Sequence, residues 1–414
     1  MSELSYLEKL LDGAEVEWMA LGSVIKTVTA PSKLKSQAYR ASGKLPIIDQ
    51  GIKFIAGYTD EDVAPVEAGK YIIFGDHSEH IKYVDFRFVQ GADGLKILSP
   101  ISDNAKYIYH AFLNFYTKEL SYKRHWSSAQ QTLIPIPCPN DPEKSLAIQA
   151  EIVRVLDKFT ALTAELTAEL TERKKQYNYY RDQLLSFDEE QEKPIYLEKL
   201  LDGVEVEWLT AAEIFNIKNG YTPSKAKKEF WEDGNIPWFR LEDIRTNGRE
   251  LNDSIMHVNQ AGVKGNLFPK DSIFMSTTAT IGEFALVKIP HLTNQQITNF
   301  SLTSRFKGII DIRYLFHGFH HFGEWCKENA NKSGGLSIIG IKKLSSYKFP
   351  IPCPDNPEKS LAIQSEIVRI LDKFDTLTNS ITEGLPREIE LRQKQYEYYR
   401  DLLFSFPKPD SVTN

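Results

Sequence analysis

Apolar residues recur at alternating intervals of three and four along a long stretch in the middle of the chain. The apolar positions are Ile152, Leu156, Phe159, Leu166, Leu170, Tyr177, Tyr180, Leu184 and Phe187, with Thr163 and Arg173 as polar exceptions. Two apolar positions in every seven residues predict an α-helix with a single apolar seam, as in a coiled coil. The pattern follows Pro142, which interrupts the preceding segment.

The same seam returns near the C-terminal end of the chain, after Pro357. Its apolar positions are Ile367, Leu371, Phe374, Ile381, Leu385, Tyr396, Tyr399, Leu403 and Phe406. The offset between the two copies grows from 215 residues to 219, so the second copy contains four extra residues. Gly384 and Pro386 lie where the extra residues fall, and they predict a kink or a break in the second helix.

Each helical stretch needs an apolar partner. A helix of about 40 residues extends roughly 60 Å at 1.5 Å per residue, and with one apolar face it is not stable alone in water. We therefore expect the two helices to pack antiparallel, related by a pseudo-twofold axis, with one globular domain near each end.

Two further repeats show that the chain consists of two copies of one plan. Residues Tyr6–Trp18 recur as Tyr196–Trp208 with one difference, and Pro135–Phe159 recur as Pro350–Phe374 with 21 of 25 positions identical. The order predicts a first domain at 1–134 that includes the short repeat 6–18, a long helix at 135–187, a second domain at 188–349 that includes the short repeat 196–208, and a second long helix at 350–414.

The two variable regions, 19–134 and 209–349, share three short anchors although their sequences differ. Pro31–Lys33 corresponds to Pro223–Lys225, Gly43–Pro46 to Gly234–Pro237, and Tyr71–Phe74 to Ser272–Met275. Short alternating stretches favour strands, and they include Ile72–Phe74, Tyr83–Val89, Ile273–Met275 and Phe284–Val287. We expect one α/β (α+β) fold in both regions.

Charge is divided unevenly between the variable regions and the repeats. The chain carries 50 basic and 56 acidic residues, a net charge of −6. Residues 19–134 have a net charge of +3 and residues 209–349 of +5, whereas the remaining residues have −14. Positive charge on the variable regions suits a polyanion such as DNA, although values of this size also occur in ordinary domains.

Sequence signatures of catalysis and of metal binding are missing. The chain has no Gly-x-x-x-x-Gly-Lys-Ser/Thr phosphate loop, no His-Glu-x-x-His and no cysteines at zinc-site spacing. Apolar helix-like neighbours surround His317, His320 and His321, which favours a packed helix over a metal site. Cys138 and Cys353 are expected to be small buried residues.

The composition also bears on location. Three cysteines in 414 residues do not build a disulfide framework, and residues 1–30 lack the features of a secretory signal. No uninterrupted apolar run of about 18 residues occurs, so no membrane span is expected. These features predict a cytoplasmic globular protein.

The whole arrangement resembles the specificity subunit of type I restriction-modification systems, and within that family the type IC group. The resemblance rests on the segment YLEKLLDG, on the block PIPCP…NPEKSLAIQSEIVR…LDKF, and on tandem Thr-Ala-Glu-Leu units at Thr163–Leu166 and Thr167–Leu170. It covers essentially the whole chain. Gly220–Lys225 and Gly234–Trp238 also resemble a common form of the family's second target-recognition domain.

The resemblance implies a non-catalytic subunit that reads a bipartite DNA sequence and directs adenine methylation and restriction. Each target-recognition domain would read one half-site, with an unread spacer between them. The implied partners are double-stranded DNA, two copies of the methylating (M) subunit and restriction (R) subunits. No cofactor is implied for this chain, since S-adenosylmethionine, ATP and Mg²⁺ belong to the partner subunits. The residues alone leave open a tandem-repeat coiled-coil scaffold that binds proteins or glycans.

Polar and basic residues in the predicted loops are the candidates for reading DNA, because cations attract phosphates and polar groups hydrogen-bond to base edges. In the first domain they are Lys33, Lys35, Gln50, His77, His80, Lys123, Arg124 and His125. In the second they are Tyr221, Thr222, Ser224, Lys225, Arg240, Thr277, Thr278, Thr280, Asn294, Gln295 and Lys332.

Two local structures and one surface are predicted beside these candidates. Thr222-Pro223-Ser224 is expected to begin a helix, whose N-terminus would face phosphate, and Trp238 is expected to lie in the core. Tyr179 and Tyr398 are the exposed candidates for contacting a partner subunit. No catalytic and no metal-binding residue is expected.

Overall fold

A computed structural model describes residues 6–121, 123–187, 199–200, 204–333 and 335–407. It divides the chain into two compact units: Met1–Ala164 with Leu391–Asn414, and Glu165–Glu390. Part of the second short repeat, residues 196–198 and 201–203, lies outside the described residues.

The first unit contains a small α/β domain. Its helices are α1 (Tyr6–Leu11), α2 (Leu21–Val24), α3 (Ala105–Phe115) and α4 (Trp126–Ala129), with a 3-10 helix at Ser36–Ala38. Its strands are β1 (Val16–Ala20), β2 (Ile25–Val28), β3 (Leu45–Ile48), β4 (Gly57–Thr59), β5 (Tyr71–Gly75), β6 (Ile81–Val84), β7 (Val89–Gln90), β8 (Leu95–Pro100) and β9 (Leu133–Pro137). The long helix α5 (Pro142–Ser186) follows, and only its first part belongs to this unit.

The second unit contains a domain of the same kind. Its strands are β10 (Val206–Thr210), β11 (Phe215–Asn219), β12 (Ile236–Phe239), β13 (Glu250–Leu251), β14 (His257–Val258), β15 (Ser272–Ser276), β16 (Phe284–Val287), β17 (Leu292–Thr293), β18 (Ile297–Leu302), β19 (Asn331–Ser333), β20 (Leu336–Ile338) and β21 (Lys348–Pro352). Its helices are α6 (Ala211–Ile214), α7 (Leu241–Asn247), α8 (Ile312–Asn329), α9 (Ile341–Leu344) and α10 (Pro357–Asn379), with 3-10 helices at Lys228–Phe230 and Gln260–Gly262. The last helix, α11 (Gly384–Leu403), begins here and ends in the first unit.

The sheets confirm that both variable regions have one α/β fold. The main sheet has the strand order β2-β8-β5-β6 in the first unit and β11-β18-β15-β16-β13 in the second. A smaller sheet has the order β4-β3-β7 in the first and β14-β12-β17 in the second. Two of the three predicted anchors occupy equivalent places. Gly43–Pro46 and Gly234–Pro237 lead into β3 and β12, and Tyr71–Phe74 and Ser272–Met275 lie in β5 and β15.

The predicted seam of the central helix is confirmed. Ile152, Leu156, Tyr177 and Leu184 are buried. Between residues 161 and 176 the least exposed positions are the four that continue the seam, namely Thr163, Leu166, Leu170 and Arg173. The period of seven therefore describes the face that the helix turns away from solvent, including its two polar members.

The predicted break in the second helix is also confirmed. Residues 380–383 separate α10 from α11, and Gly384 starts α11 with a φ of +76°, in the left-handed region that favours glycine. Pro386 follows within the first turn of α11, where its missing N–H is tolerated. Ile381, which the sequence assigned to the seam, is instead exposed because it lies in the break.

The helices run antiparallel within the first unit. Phe159 of α5 stacks on Tyr399 of α11 with the ring centroids 5.1 Å apart. Beyond the end of α11, the Trp18 indole donates to the Pro407 carbonyl at 2.8 Å, and Trp18 pairs across β1 and β9 with Pro135. The end of α11 thus lies beside the strands that lead into α5, as expected for antiparallel helices.

The same arrangement holds within the second unit. Phe374 of α10 stacks on Tyr180 of α5 with the centroids 5.3 Å apart. Leu185, at the end of α5, lines a cavity of about 310 Å³ together with Trp208 and Pro350, which precede α10. Trp208 and Pro350 pair across β10 and β21, as their counterparts do in the first unit.

A buried glutamine joins each variable domain to its helix. In the first unit, Gln149 accepts from the Asn104 amide at 2.8 Å and donates to the Ser145 hydroxyl at 3.1 Å. In the second, Gln364 accepts from the Asp311 amide at 2.8 Å and donates to Ser360 at 2.9 Å. Both glutamines are fully buried, and each accepts a hydrogen bond from the backbone amide of the N-cap residue of α3 or α8.

Further contacts repeat between the same helices. Tyr107 donates to the Pro135 carbonyl at 2.5 Å, and Tyr314 donates to the Pro350 carbonyl at 2.8 Å. The cation one residue earlier binds an aspartate of the long helix, with Lys106 to Asp157 at 2.6 Å and Arg313 to Asp372 at 2.9 Å. The histidine three residues after each tyrosine approaches the same aspartate, His110 at 3.8 Å and His317 at 2.8 Å.

These contacts settle two minor predictions. His317, His320 and His321 lie on α8, and His317 is buried against Asp372, so the packed-helix prediction is confirmed. Cys138 and Cys353 are buried as expected. Both cysteines have left-handed backbones, with φ of +49° and +45°, at the turn between the last strand and the long helix.

Replacing either buried glutamine by leucine is expected to lower the free energy of unfolding by about 2 kcal/mol, because a buried backbone amide loses its acceptor. Equilibrium urea unfolding of the full chain measures this free energy for Gln149→Leu and Gln364→Leu. The control variant is Gln176→Leu, because Gln176 is exposed on α5. Losses below about 0.5 kcal/mol for both buried positions would contradict this role.

A buried histidine supports the second domain beside β17. His291 lies between Phe239 and Phe268, at 5.5 and 5.7 Å between ring centroids, and its nitrogens approach the Ile289 carbonyl and the Asn299 side chain at 3.0 and 3.2 Å. Burial lowers the pKa of His291 to about 4. The carbonyl and amide oxygens beside the ring act in the opposite direction, because they favour its charged form, but burial outweighs them.

Acidification is expected to destabilise the second unit through His291. Between the ordinary pKa of about 6.5 and the folded-state value the unfolded chain binds a proton that the folded chain does not, so unfolding becomes easier as pH falls. The effect is at most about 3 kcal/mol. Urea unfolding at pH 7.5, 6 and 5 should therefore show a shallower pH dependence for His291→Gln than for the unsubstituted chain. Parallel curves would rule out the contribution.

Candidate nucleic-acid interface

Four loops of the first unit come together at one end of the main sheet. The loop after β5 (residues 76–80) meets the loop before β8 (91–94) where the Asp76 amide donates to the Gly94 carbonyl at 2.6 Å. The loop after β3 (49–56) joins at its start, because the Gly91 amide donates to the carbonyl of Ile48, the last residue of β3, at 2.8 Å. The segment between α3 and α4 (116–125) joins through the His125 amide and the Asp76 carbonyl at 2.8 Å. We call these four segments the first loop cluster.

Gln50 connects three of these loops. Its Oε1 accepts from the His77 amide at 3.2 Å, and its Nε2 donates to the Asp93 carbonyl at 3.1 Å. Both ends of the side-chain amide are engaged inside the cluster. Gln50, which the sequence nominated as a base reader, is therefore a positioning residue in this structure.

Two buried charged residues hold the outer loops. Lys82 donates to the carbonyls of Asp49 at 2.7 Å and Lys53 at 2.6 Å, and burial lowers its pKa. Glu79 accepts from the Tyr116 hydroxyl at 2.7 Å and from the amides of Glu119 and Leu120 at 2.8 Å each.

Burial alone would raise the pKa of Glu79, but the hydrogen bonds from Tyr116 and from the two amides outweigh it, so the pKa lies below its ordinary value. His125 lies 3.5 Å from Glu79 and its Nε2 is 2.7 Å from the Ser121 carbonyl. The ring of His125 is fully buried. The prediction that His125 contacts DNA is wrong for this structure, because the ring is an internal support of the 116–125 segment.

The other candidates of the first domain line the outside of the cluster. Lys33, Lys35, Lys123 and Arg124 are exposed, and His77 and His80 are partly exposed. The segment with Lys33 is attached by the Leu34 amide, which donates to the Gln90 carbonyl at 3.0 Å. The loops therefore bring cations and imidazoles from distant parts of the sequence to one end of the sheet.

The second unit has an equivalent cluster, which we call the second loop cluster. The loop after β15 (277–280) meets the loop before β18 (294–296) where the Thr277 amide donates to the Gln296 carbonyl at 2.9 Å. The segment after β11 (220–227) joins through the Tyr221 amide and the Thr293 carbonyl at 2.8 Å. The β19–β20 hairpin joins through the Ala279 amide and the Ser337 carbonyl at 2.8 Å.

The segment after β11 does not begin a helix at Thr222–Ser224, so that prediction is wrong. The Thr222 hydroxyl, which would have capped the helix, donates instead to Gln295 Oε1. The Ser224 carbonyl accepts from the Trp231 indole and, within a single turn, from the Lys227 amide, at 3.2 Å each. Only a turn and the 3-10 helix Lys228–Phe230 follow. No helix N-terminus is therefore available here for phosphate.

Three candidates of the second domain make contacts within the domain. Thr277 is buried and its hydroxyl lies 2.8 Å from that of Thr298. The Tyr221 hydroxyl accepts from the Lys264 amide at 2.6 Å. Arg240 binds Glu242 at 2.6 Å at the start of α7, and its side chain is partly exposed. Trp238 is buried, as expected.

The remaining candidates form a mixed polar surface on the second loop cluster. Ser224, Lys225, Thr280, Gln295 and Lys332 are exposed, and Thr222, Thr278 and Asn294 are partly exposed. Amides can pair with adenine edges, hydroxyl groups with several bases, and lysines with phosphates. The second cluster is thus richer in amides and hydroxyls, and the first in cations.

Sequence reasoning missed the residues that shape these clusters. Glu79 and Ala279 have left-handed backbones, with φ of +54° and +64°, in the loops after β5 and β15. Non-glycine residues rarely adopt this conformation, and it is concentrated at functional sites. Lys82 and Glu79 were missed because charged residues near the end of a strand are normally expected to be exposed to solvent. The signal available was their position beside a predicted loop.

Away from the clusters, two equivalent tyrosines are exposed on the long helices. Tyr179 is 50% exposed and Tyr398 is 64% exposed, whereas their neighbours Tyr177 and Tyr396 pack inward. In the described part of the chain, no group of three or more His, Cys, Asp or Glu residues is placed to hold a metal ion. No helix among the described residues is both long and apolar enough to cross a membrane.

Comparison with known proteins agrees with this architecture. The family model for the type I restriction modification DNA specificity domain matches residues 14–173 and 204–391. The chain is 47% identical over 439 aligned residues to the type I restriction enzyme EcoR124I/EcoR124II specificity subunit of Escherichia coli, with 100% of both chains covered. It is 30% identical to a putative type I restriction enzyme specificity subunit of Haemophilus influenzae, covering 97% of this chain and 98% of the relative.

A solved structure extends the likeness to the fold. The type I restriction-modification S subunit from M. genitalium matches 96% of this chain and 98% of its own, with a TM-score of 0.58 at 17% identity. The two segments that the family model matches account for most of the chain. The chain belongs to the family of type I restriction-modification DNA specificity subunits.

Proposed function

We propose that the two loop clusters are the DNA-reading surfaces of this specificity subunit, and that each reads one half of a bipartite site. The observation that carries the proposal is the convergence of exposed cations, hydroxyls and amides at the same end of the sheet in two domains of unlike sequence. Because the exposed groups differ between the clusters, the two half-sites differ as well.

The partner subunits would bind the repeated part of the chain. Two copies of one helical surface suit two copies of one methylating subunit, since DNA has two strands to modify. Tyr179 and Tyr398 are exposed at equivalent positions and are our candidates for that contact. In this proposal S-adenosylmethionine, ATP and Mg²⁺ act on the M and R subunits, and this chain supplies recognition only. Family membership favours this function over a protein-binding or glycan-binding scaffold.

The second loop cluster allows base reading and phosphate binding to be separated. In the complex with methylating subunits, Gln295→Ala should relax selectivity within the second half-site, because an amide contact to a base edge is lost together with the Thr222 contact that positions it. Lys225→Ala should weaken binding to all duplexes alike and reduce the salt slope of log K by about one. Methylome sequencing and salt-dependent binding to cognate and scrambled duplexes measure the two effects.

Lys307 provides the matched control for Lys225. It is exposed and follows β18, whereas the second cluster precedes this six-residue strand. The two ends of such a strand are roughly 17 Å apart. Lys307→Ala should change neither selectivity nor salt slope. Equal effects of Lys225→Ala and Lys307→Ala, or an unchanged second half-site in Gln295→Ala, would refute the assignment.

The tandem Thr-Ala-Glu-Leu units are expected to set the unread spacer. Four helical residues advance a helix about 6 Å and rotate it about 40° beyond one turn, while one base-pair step advances about 3.4 Å. Deletion of Thr167–Leu170 should therefore shorten the spacer by about one base pair and leave both half-sites unchanged. Sequencing of methylated sites checks this, and altered half-sites or an unchanged spacer would count against it.

A further inference from the structure

The first loop cluster carries two unusually exposed aliphatic side chains. Leu120 is 85% exposed and Ile52 is 82% exposed, the highest values among the large apolar side chains in the described part of the chain. Single exposed apolar residues are common and need no explanation. These two differ from ordinary exposed residues because each is held in place by a buried charge.

Leu120 is held in a conformation that leucine rarely adopts. Its φ is +55°, in the left-handed region, and its amide donates to Glu79 at 2.8 Å. The preceding amide, of Glu119, donates to the same carboxylate at 2.8 Å. A buried carboxylate with three donors fixes this turn, so Leu120 projects from a rigid backbone rather than from a mobile loop.

Ile52 projects from a loop that is fixed in a similar way. The buried Lys82 ammonium donates to the carbonyls of Asp49 and Lys53, which lie on either side of Ile52. Glu79 and Lys82 are only three residues apart, so one short segment at the start of β6 fixes both loops. Burial of two charges is costly, and here it fixes the positions of two apolar side chains.

The surroundings of both side chains are basic. Lys53 adjoins Ile52, and Lys118, Lys123 and Arg124 lie in the same segment as Leu120; all four are exposed. Glu119 is also exposed in this segment and pairs with Lys123, so the cations outnumber the one carboxylate there. Cations around an apolar tip favour a polyanion with apolar groups, which in DNA are the thymine methyl groups and the base faces. A protein surface or a membrane would be favoured by a broader apolar area.

The second unit repeats the arrangement with different residues. The β19–β20 hairpin follows α8 as the 116–125 segment follows α3, and it is joined to the loop after β15 by the pairing of Thr278 with Ile338. Leu336 and Ile338 are exposed on this hairpin, and Lys332 lies on its other strand. An apolar tip beside a cation thus occurs at the equivalent place in both domains.

We infer that Ile52 and Leu120 make direct apolar contacts with the bases of the first half-site and contribute to its selectivity. The inference rests on the proposed function and extends it to a class of contact that polar candidates do not provide. Apolar contacts of this kind discriminate among bases without changing the number of phosphate contacts.

The test uses the full chain with its methylating subunits and duplexes that carry its own site, the first half-site scrambled, or the second half-site scrambled. Ile52→Ala and Leu120→Ala should each weaken binding to the cognate duplex about tenfold. Binding to the duplex with the scrambled first half-site should change less than about twofold, and the salt slope should stay the same. Selectivity at the second half-site should be retained.

Two further variants sharpen the result. Ile101 is 64% exposed and follows β8, whereas the first loop cluster precedes this strand, so Ile101→Ala is the matched control and should have no effect. Ile52→Val keeps an apolar tip and should bind within about threefold of the unsubstituted protein.

The outcomes distinguish the inference from the proposed function. If the unsubstituted complex does not prefer its own site over scrambled duplexes, both are refuted. If it does, but Ile52→Ala and Leu120→Ala behave like Ile101→Ala, only the inference is refuted. Loss of selectivity at both half-sites would also overturn it, because that result indicates general damage rather than a base contact.

Discussion

One buried glutamine side chain fixes how each variable domain packs on the long helix beside it. Gln149 and Gln364 are fully buried, so their side-chain groups must find partners inside the protein. Each takes the backbone amide that precedes the domain's own helix, α3 or α8. The start of that helix is therefore tied to one turn of a near-identical repeat. A domain without a backbone N–H at this position would leave the buried glutamine side-chain oxygen without its donor.

This requirement explains why two domains of unlike sequence dock in the same way. The cation, tyrosine and histidine of α3 recur at the same spacing on α8. In each unit they contact the equivalent aspartate and the equivalent proline carbonyl of the repeat. Residues at the docked side of the domain are therefore constrained by the repeat. Residues in the loop clusters are not, because none of these docking contacts involves them.

The loop clusters reach similar rigidity by different chemistry. In the first, buried Glu79 and Lys82 hold the loops through backbone groups. In the second, a hairpin and a Thr222–Gln295 contact do so. Rigid loops lose little conformational freedom on binding, so under the proposed function the contacting groups would be in place before DNA binds. Different groups on the same framework are a physical route from one fold to two unlike half-sites.

The sequence predicted the framework better than the surface for a physical reason. The seam, the break and the anchors depend on periodicity, Gly, Pro and alternation, which are local signals. Burial of His125 and Thr277 could not be predicted, because the side chains beside them, Glu79 and Thr298, come from distant parts of the sequence. The helix predicted at Thr222 failed for the same reason, since Gln295 takes the capping hydroxyl. The cation, tyrosine and histidine shared by α3 and α8 are only three residues in otherwise dissimilar regions. Their common spacing could be recognised only in the structure, where they contact Asp157 and Asp372.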